Sequence, residues 1–142
     1  MSDYTLPPCS TLLCGMTGSG KTTFALRYLQ NVAAACRFIF DDLGQCAARL
    51  KLPHASTAHE LEAALGKRWV IFNPHRMFPG DTEKAFRFFC QWAYDCSRRG
   101  PGKKVLMVDE LGADRAAVQG LPLGSYAAWN RLSRARLDGR VF

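Results

Sequence analysis

Short apolar runs alternate with stretches of helical periodicity along this chain, and polar or glycine-rich breaks separate them. The apolar residues closing the segment 9–14 predict a first strand. Phe24, Leu26, Tyr28 and Leu29 then fall at helical spacing among good helix formers, which predicts a helix over 21–35. Arg37-Phe38-Ile39-Phe40 reads as a second strand ending in Asp41-Asp42, where the acids are expected to cap a short helix over 43–50, with contact to nucleotide or metal as the alternative. Pro53 punctuates a loop over 51–56. Thr57 with Glu60 three residues on forms a capping box for a helix over 57–65, and Gly66 is expected to end it. Trp69-Val70-Ile71-Phe72 reads as a third strand, which Asn73-Pro74 breaks. His75 and Arg76 open a polar loop at that strand's carboxyl end. Asp81 caps a long helix over 82–97. Its Phe86, Phe89, Cys90 and Ala93, with Ala85, Phe88 and Trp92 beside them, give an apolar surface wide enough to require burial against a sheet or a second subunit. After the basic turn Arg98-Arg99-Gly100-Pro101-Gly102, the run Val105-Leu106-Met107-Val108 predicts a buried parallel strand ending in Asp109-Glu110.

Strands alternating with helices imply an α/β fold: a mostly parallel sheet with helices on both faces and a ligand edge at the strands' carboxyl ends. The chain of 142 residues is expected to form a single domain. Its ordered core is expected over about 9–112. An irregular basic segment follows over 113–142, and Gly112, Gly120, Pro122 and Gly124 mark a long loop after Leu111. Ser125 then caps a helix over 126–137 that carries Arg131, Arg134 and Arg136, with Arg140 beyond. The formal net charge of +7 favours a polyanionic partner, either nucleic acid or nucleotide. The six cysteines form no C-x-x-C pair and several sit in apolar runs, so they read as reduced, structural thiols of a cytoplasmic protein. Residues 1–8 lack the basic start and apolar core of a signal peptide, and no apolar run is long enough for a membrane span.

Between the first strand and the first helix stands Gly15-Met16-Thr17-Gly18-Ser19-Gly20-Lys21-Thr22-Thr23, a full match to G-x-x-x-x-G-K-[ST] in a strand–loop–helix setting. The chemistry requires these residue types. Gly15, Gly18 and Gly20 permit backbone angles that other residues resist. The amides of the loop can then cradle phosphates at the positive end of the helix. Lys21 reaches the β- and γ-phosphates, and Thr22 sets its hydroxyl on Mg²⁺. Asp109-Glu110, closing an apolar strand, form the matching Walker B pattern. Asp109 would hold Mg²⁺ with Thr22, and Glu110 would polarise the attacking water as general base. ATP and Mg²⁺ are the cofactors this pairing implies.

These two motifs, with Phe38-Ile39-Phe40-Asp41-Asp42 between them, resemble the P-loop ATPases that carry a catalytic glutamate. Within them the chain is similar to the FtsK/HerA-like group, and more closely to the genome-packaging ATPases of tailless membrane-containing phages and the assembly ATPases of filamentous phages. The likeness spans 12–112 and is carried by the motifs. It implies a RecA-like core, a homo-oligomeric ring, ATP hydrolysis between subunits, and double-stranded DNA driven through a central channel in the host cytoplasm. Lys21 would be the phosphate lysine, Thr22 and Asp109 the metal ligands, and Glu110 the water activator. The family continues past Walker B into a strand ending in a polar sensor. Here 137–142 lies where that strand should begin, and Gln119 stands in a loop, so the resemblance implies a chain that is C-terminally truncated, frame-shifted or degenerate. Two alternatives stay open: a kinase acting on a nucleoside or other metabolite, with Arg98, Arg99 and the arginines of 131–136 as lid residues, and a nucleotide-binding chain without efficient hydrolysis.

Overall fold

A computed structural model describes Leu13 and residues 18–109 of the chain. The elements in order are α1 (Lys21–Asn31), β1 (Cys36–Phe40), α2 (Gln45–Leu50), α3 (Ala58–Gly66), β2 (Trp69–Phe72), α4 (Thr82–Arg99) and β3 (Lys104–Val108). Apart from Leu13, the expected strand over 9–14 lies outside the described residues, as does everything expected from Glu110 onward.

The strands form one parallel sheet in the order β2-β1-β3. Phe38 pairs with Val70 on one side and with Leu106 on the other, so β1 is the central strand. Parallel neighbours need crossovers, and the helices between the strands supply them. Alternation along each strand then sorts the side chains. Phe38 and Phe40 of β1, Val70 and Phe72 of β2, and Leu106 and Val108 of β3 face a core shared with Leu61 of α3 and with Ala85, Phe86, Phe89, Cys90 and Ala93 of α4. Ile39, Ile71, Val105 and Met107 face the opposite core, with Leu26 and Leu29 of α1 and Cys46 and Ala47 of α2. Helices therefore cover both faces, and the apolar surface of α4 is buried against the sheet. Phe89 lies at the middle of that packing. It stacks on Phe72 with ring centroids 5.1 Å apart and meets Phe40 at 5.9 Å and Trp92 at 6.1 Å.

β3 differs from its expected full burial. Val105 to Val108 are half-buried, and among the described residues β1 is its only neighbour. A short segment missed in the sequence lengthens the other side: Ala55 donates to Ile71 O (2.7 Å) and accepts from Asn73 N (3.0 Å).

Helix boundaries follow from capping. Asp81 Oδ1 accepts from Lys84 N at 3.0 Å and starts α4 where expected. Thr57 Oγ1 accepts from Glu60 N at 3.2 Å, while Glu60 reaches back to Ser56 N (2.6 Å), one residue earlier than the usual capping box. α3 runs through Gly66 instead of stopping before it. Lys67 N and Arg68 N close the last turn on Ala64 O and Leu65 O, and the left-handed residue is Arg68 (φ 64°).

α1 ends at Asn31, short of the expected 35, although Ala33, Ala34 and Ala35 are strong helix formers. The cause is Arg37, the second residue of β1. Its guanidinium donates to Leu29 O (2.5 Å) and Val32 O (2.6 Å), with Ala34 O at 3.5 Å, and lies 4.8 Å from the Trp69 ring centroid. These carbonyls would otherwise continue the helix or stay unpaired. The turn into β1 is braced by Ala35 N donating to Lys103 O at 2.6 Å. Gly102 makes that approach possible. Its φ is +92°, and a Cβ there would stand 2.8 Å from the Ala35 Cβ.

Candidate nucleotide and metal site

The site lies at the carboxyl edge of the sheet, where β1 and β3 end side by side. Phe40 pairs with Val108, so the next residues, Asp41 and Asp109, adjoin. The ladder continues one step, with Asp109 N donating to Phe40 O at 3.4 Å. Strand parity turns Asp41 and Asp109 toward the α1/α2 face. α1 begins on that face, and the hydroxyl of Thr22 in its first turn donates to Asp109 Oδ1 at 3.1 Å. Two residues 87 positions apart in the chain thus meet, one at a helix start and one at a strand end.

The approach to α1 has the backbone that its glycines foretell. Gly18 (φ 81°) and Gly20 (φ 87°) are left-handed, and a Cβ at either would meet nothing within 4 Å, so conformation rather than crowding demands glycine. Among the described residues no side chain caps α1, and no acidic residue stands in its first turn. The start of this helix is therefore favourable to an anion. Ser19, Lys21 and Thr23 sit at this same entrance; Gly15, Met16 and Thr17 lie outside the described residues, as does Glu110.

Asp41, marked in the sequence, and two neighbours that sequence reasoning passed over, Cys46 and Arg49, shape this corner. Asp41 is wholly buried. Its Oδ1 accepts from Cys46 N (3.1 Å) and its Oδ2 from Ala47 N (3.0 Å), which satisfies the first turn of α2. The helix starts at Gln45 instead of 43 with Gly44 at the N-cap position, so Asp41 serves the expected capping role from before the N-cap. α2 in turn brings Cys46, also wholly buried, against Asp109: its Sγ lies 3.6 Å from Asp109 Oδ2 and donates to it. Burial foremost, and then the carboxylates of Asp41 and Asp109, push the Cys46 thiol far above its ordinary range, so it stays a neutral S–H donor. Arg49, further along α2, donates from Nη1 to Thr23 Oγ1 at 3.0 Å and ties α2 to the first turn of α1. An acid after β1 was legible in the sequence. Cys46 and Arg49 gave no signal beyond helical spacing, because their partners belong to other elements.

Asp41, Cys46 and Asp109 present ligand atoms within 4.8 Å of one another. Both oxygens of Asp41 are engaged by amides and the thiol is neutral, so the donors suited to a hard cation are Thr22 Oγ1 and Asp109 Oδ1. A hydroxyl and a carboxylate fit Mg²⁺, which takes few protein ligands and completes its shell with water and phosphate oxygens. At the neighbouring strand ends, His75 Nε2 lies 2.7 Å from Asp42 O and 3.2 Å from Asp42 Oδ1, while His75 N donates to Asn73 Oδ1 at 3.2 Å. These residues knit the loops after β1 and β2 together.

No protein-family model, curated protein or solved structure matches the chain. Among the described residues no helix is long and apolar enough to cross a membrane. Those residues include four free cysteines, of which Cys36, Cys46 and Cys90 are buried.

Proposed function

We propose that this chain is a P-loop NTPase: a Mg²⁺-dependent ATPase that couples γ-phosphate hydrolysis to packaging or translocating double-stranded DNA. The observation that carries the reading is the 3.1 Å contact between Thr22 Oγ1 and Asp109 Oδ1. The two motifs supply these residues independently, and a shared Mg²⁺ needs them at one point. In this reading the loop from Gly15 to Gly20 wraps the phosphates with backbone amides, and Lys21 binds the β- and γ-phosphates as a point charge. Thr22 and Asp109 hold Mg²⁺, which when bound supplies charge neutralisation on the phosphate oxygens. Glu110 accepts the proton of the attacking water. The chain's own work is positioning and electrostatic stabilisation, with no covalent intermediate.

The DNA part of the proposal rests on the resemblance to packaging motors and on the net charge of +7, to which Arg131, Arg134, Arg136 and Arg140 contribute. The test is ATP turnover with and without double-stranded DNA, with the sample's mass in solution measured in parallel. Turnover raised by DNA in an oligomer supports the motor. Phosphoryl transfer to a nucleoside or metabolite, indifferent to DNA, would assign a kinase instead. Tight ATP binding with no turnover would leave a nucleotide-binding chain.

A further inference from the structure

We propose that Cys46 is a positioning residue for the metal ligand Asp109, a role that rests on the nucleotide-site reading above. A carboxylate at a strand tip can rotate, and it can present either oxygen to a cation or swing away. Here each oxygen has its own partner. Oδ1 faces Thr22 Oγ1 at 3.1 Å, and Oδ2 faces Cys46 Sγ at 3.6 Å. The thiol therefore occupies the oxygen turned away from Thr22 and leaves Oδ1 directed at the start of α1. An S–H is a weak donor, so it can fix an orientation without drawing much charge from the carboxylate. A Lys or Arg at this place would neutralise Asp109 and compete with the cation.

The thiol is itself fixed. Cys46 is wholly buried, and its amide and that of Ala47 are both held by Asp41. Asp41 continues β1, the strand paired with β3, so the chain of contacts closes on itself: Asp41 to α2, Cys46 to Asp109, Asp109 to Thr22. Such outer partners orient first ligands in metal sites and alter their affinity. The thiol also acts sterically, because α2 delivers it into space that the Asp109 carboxylate would otherwise sweep.

The experiment is a Mg²⁺ titration of ATP binding, read with a fluorescent ATP analogue on the full chain. The variants are Cys46→Val and Cys46→Ala, which remove the donor and bracket the thiol in size, and Cys46→Ser, which restores a donor. The Mg²⁺ concentration for half-maximal binding is expected to rise about three- to tenfold in Cys46→Val and Cys46→Ala, the worth of one modest hydrogen bond. Binding of Mg²⁺-free ATP should be unchanged, and Cys46→Ser should return toward wild type. A purely structural role would weaken both forms of binding together. Equal Mg²⁺ dependence in all the folded variants overturns the positioning role while the nucleotide site stands. Wild-type binding that ignores Mg²⁺ overturns the site reading itself. Should the buried substitutions unfold the chain, infrared spectroscopy of the unmodified thiol decides. The Cys46 S–H stretch is expected to move toward its unbonded position in Asp109→Ala, and an unmoved band refutes the contact.

Discussion

Replacing Arg37 by Met tests how the helix that presents Lys21 and Thr22 is held. Met keeps an unbranched stem beside Trp69 and removes the guanidinium. Two short bonds, to Leu29 O at 2.5 Å and Val32 O at 2.6 Å, disappear, and the 3.5 Å contact to Ala34 O adds little. A hydrogen bond from a charged donor contributes up to about 1.5–3 kcal/mol when buried; Arg37 is half-buried, so about 1 kcal/mol each is appropriate. The cation–π contact at 4.8 Å adds about 0.5–1 kcal/mol. The expected loss is about 2–3 kcal/mol, a large share of the 5–15 kcal/mol that a domain ordinarily has. Urea unfolding followed by tryptophan fluorescence measures it, since Trp69 sits under the guanidinium. Arg37→Lys keeps the charge but cannot fork to two carbonyls, so it should fall between the wild type and Arg37→Met. A change below about 0.5 kcal/mol in Arg37→Met, within the range of ordinary surface substitutions, would refute the claim that this side chain terminates α1.

Phe89→Ala should cost about 3–5 kcal/mol in the same assay, because the ring is wholly buried among Phe38, Phe40, Phe72 and Trp92 and little can collapse into its place. Burial pushes the Cys90 thiol up to about 12 from an ordinary 9.0. A thiol raised in the folded state contributes stability that is complete below about pH 9 and is lost as pH climbs toward 12, because the unfolded chain ionises first. The unfolding free energy from urea titrations should therefore fall between about pH 8 and pH 10.5, by about 2 kcal/mol from Cys90 alone, and should fall less in Cys90→Ala. Burial holds Lys104 low and acts in the opposite sense, but equally in both proteins. In nucleotide assays, Lys21→Ala should abolish tight ATP binding, whereas Glu110→Gln should bind ATP and turn it over at least 100-fold more slowly, about the lower bound for a lost general base. Unchanged turnover in Glu110→Gln would discard that assignment.

The sheet was legible because its strands are apolar runs bounded by breakers: β2 falls on Trp69–Phe72 as read, and β1 and β3 within a residue or two. Apolar spacing likewise foretold which face of α4 is buried. What the sequence concealed is tertiary. Arg37 reads as an ordinary strand residue, yet it ends α1 from outside the helix. Gly66 reads as a stop, but the turn is closed by Lys67 and Arg68, and the left-handed position falls on Arg68. At the candidate site, Thr22 and Asp109 were marked by motifs whose chemistry demands that they meet. Cys46 was not, because a thiol at helical spacing looks like any small core residue until a carboxylate 63 positions away comes against it.

The measurement that bears most directly on the nucleotide-site reading is ATP affinity with Mg²⁺ and with EDTA, in wild type and in Asp109→Ala. Convergence of Thr22 and Asp109 on one cation predicts that Mg²⁺ tightens wild-type binding at least tenfold and that the variant loses this gain while still binding free ATP. Equal affinities with Mg²⁺ and EDTA in the wild type, or a variant that keeps the full Mg²⁺ effect, would contradict it.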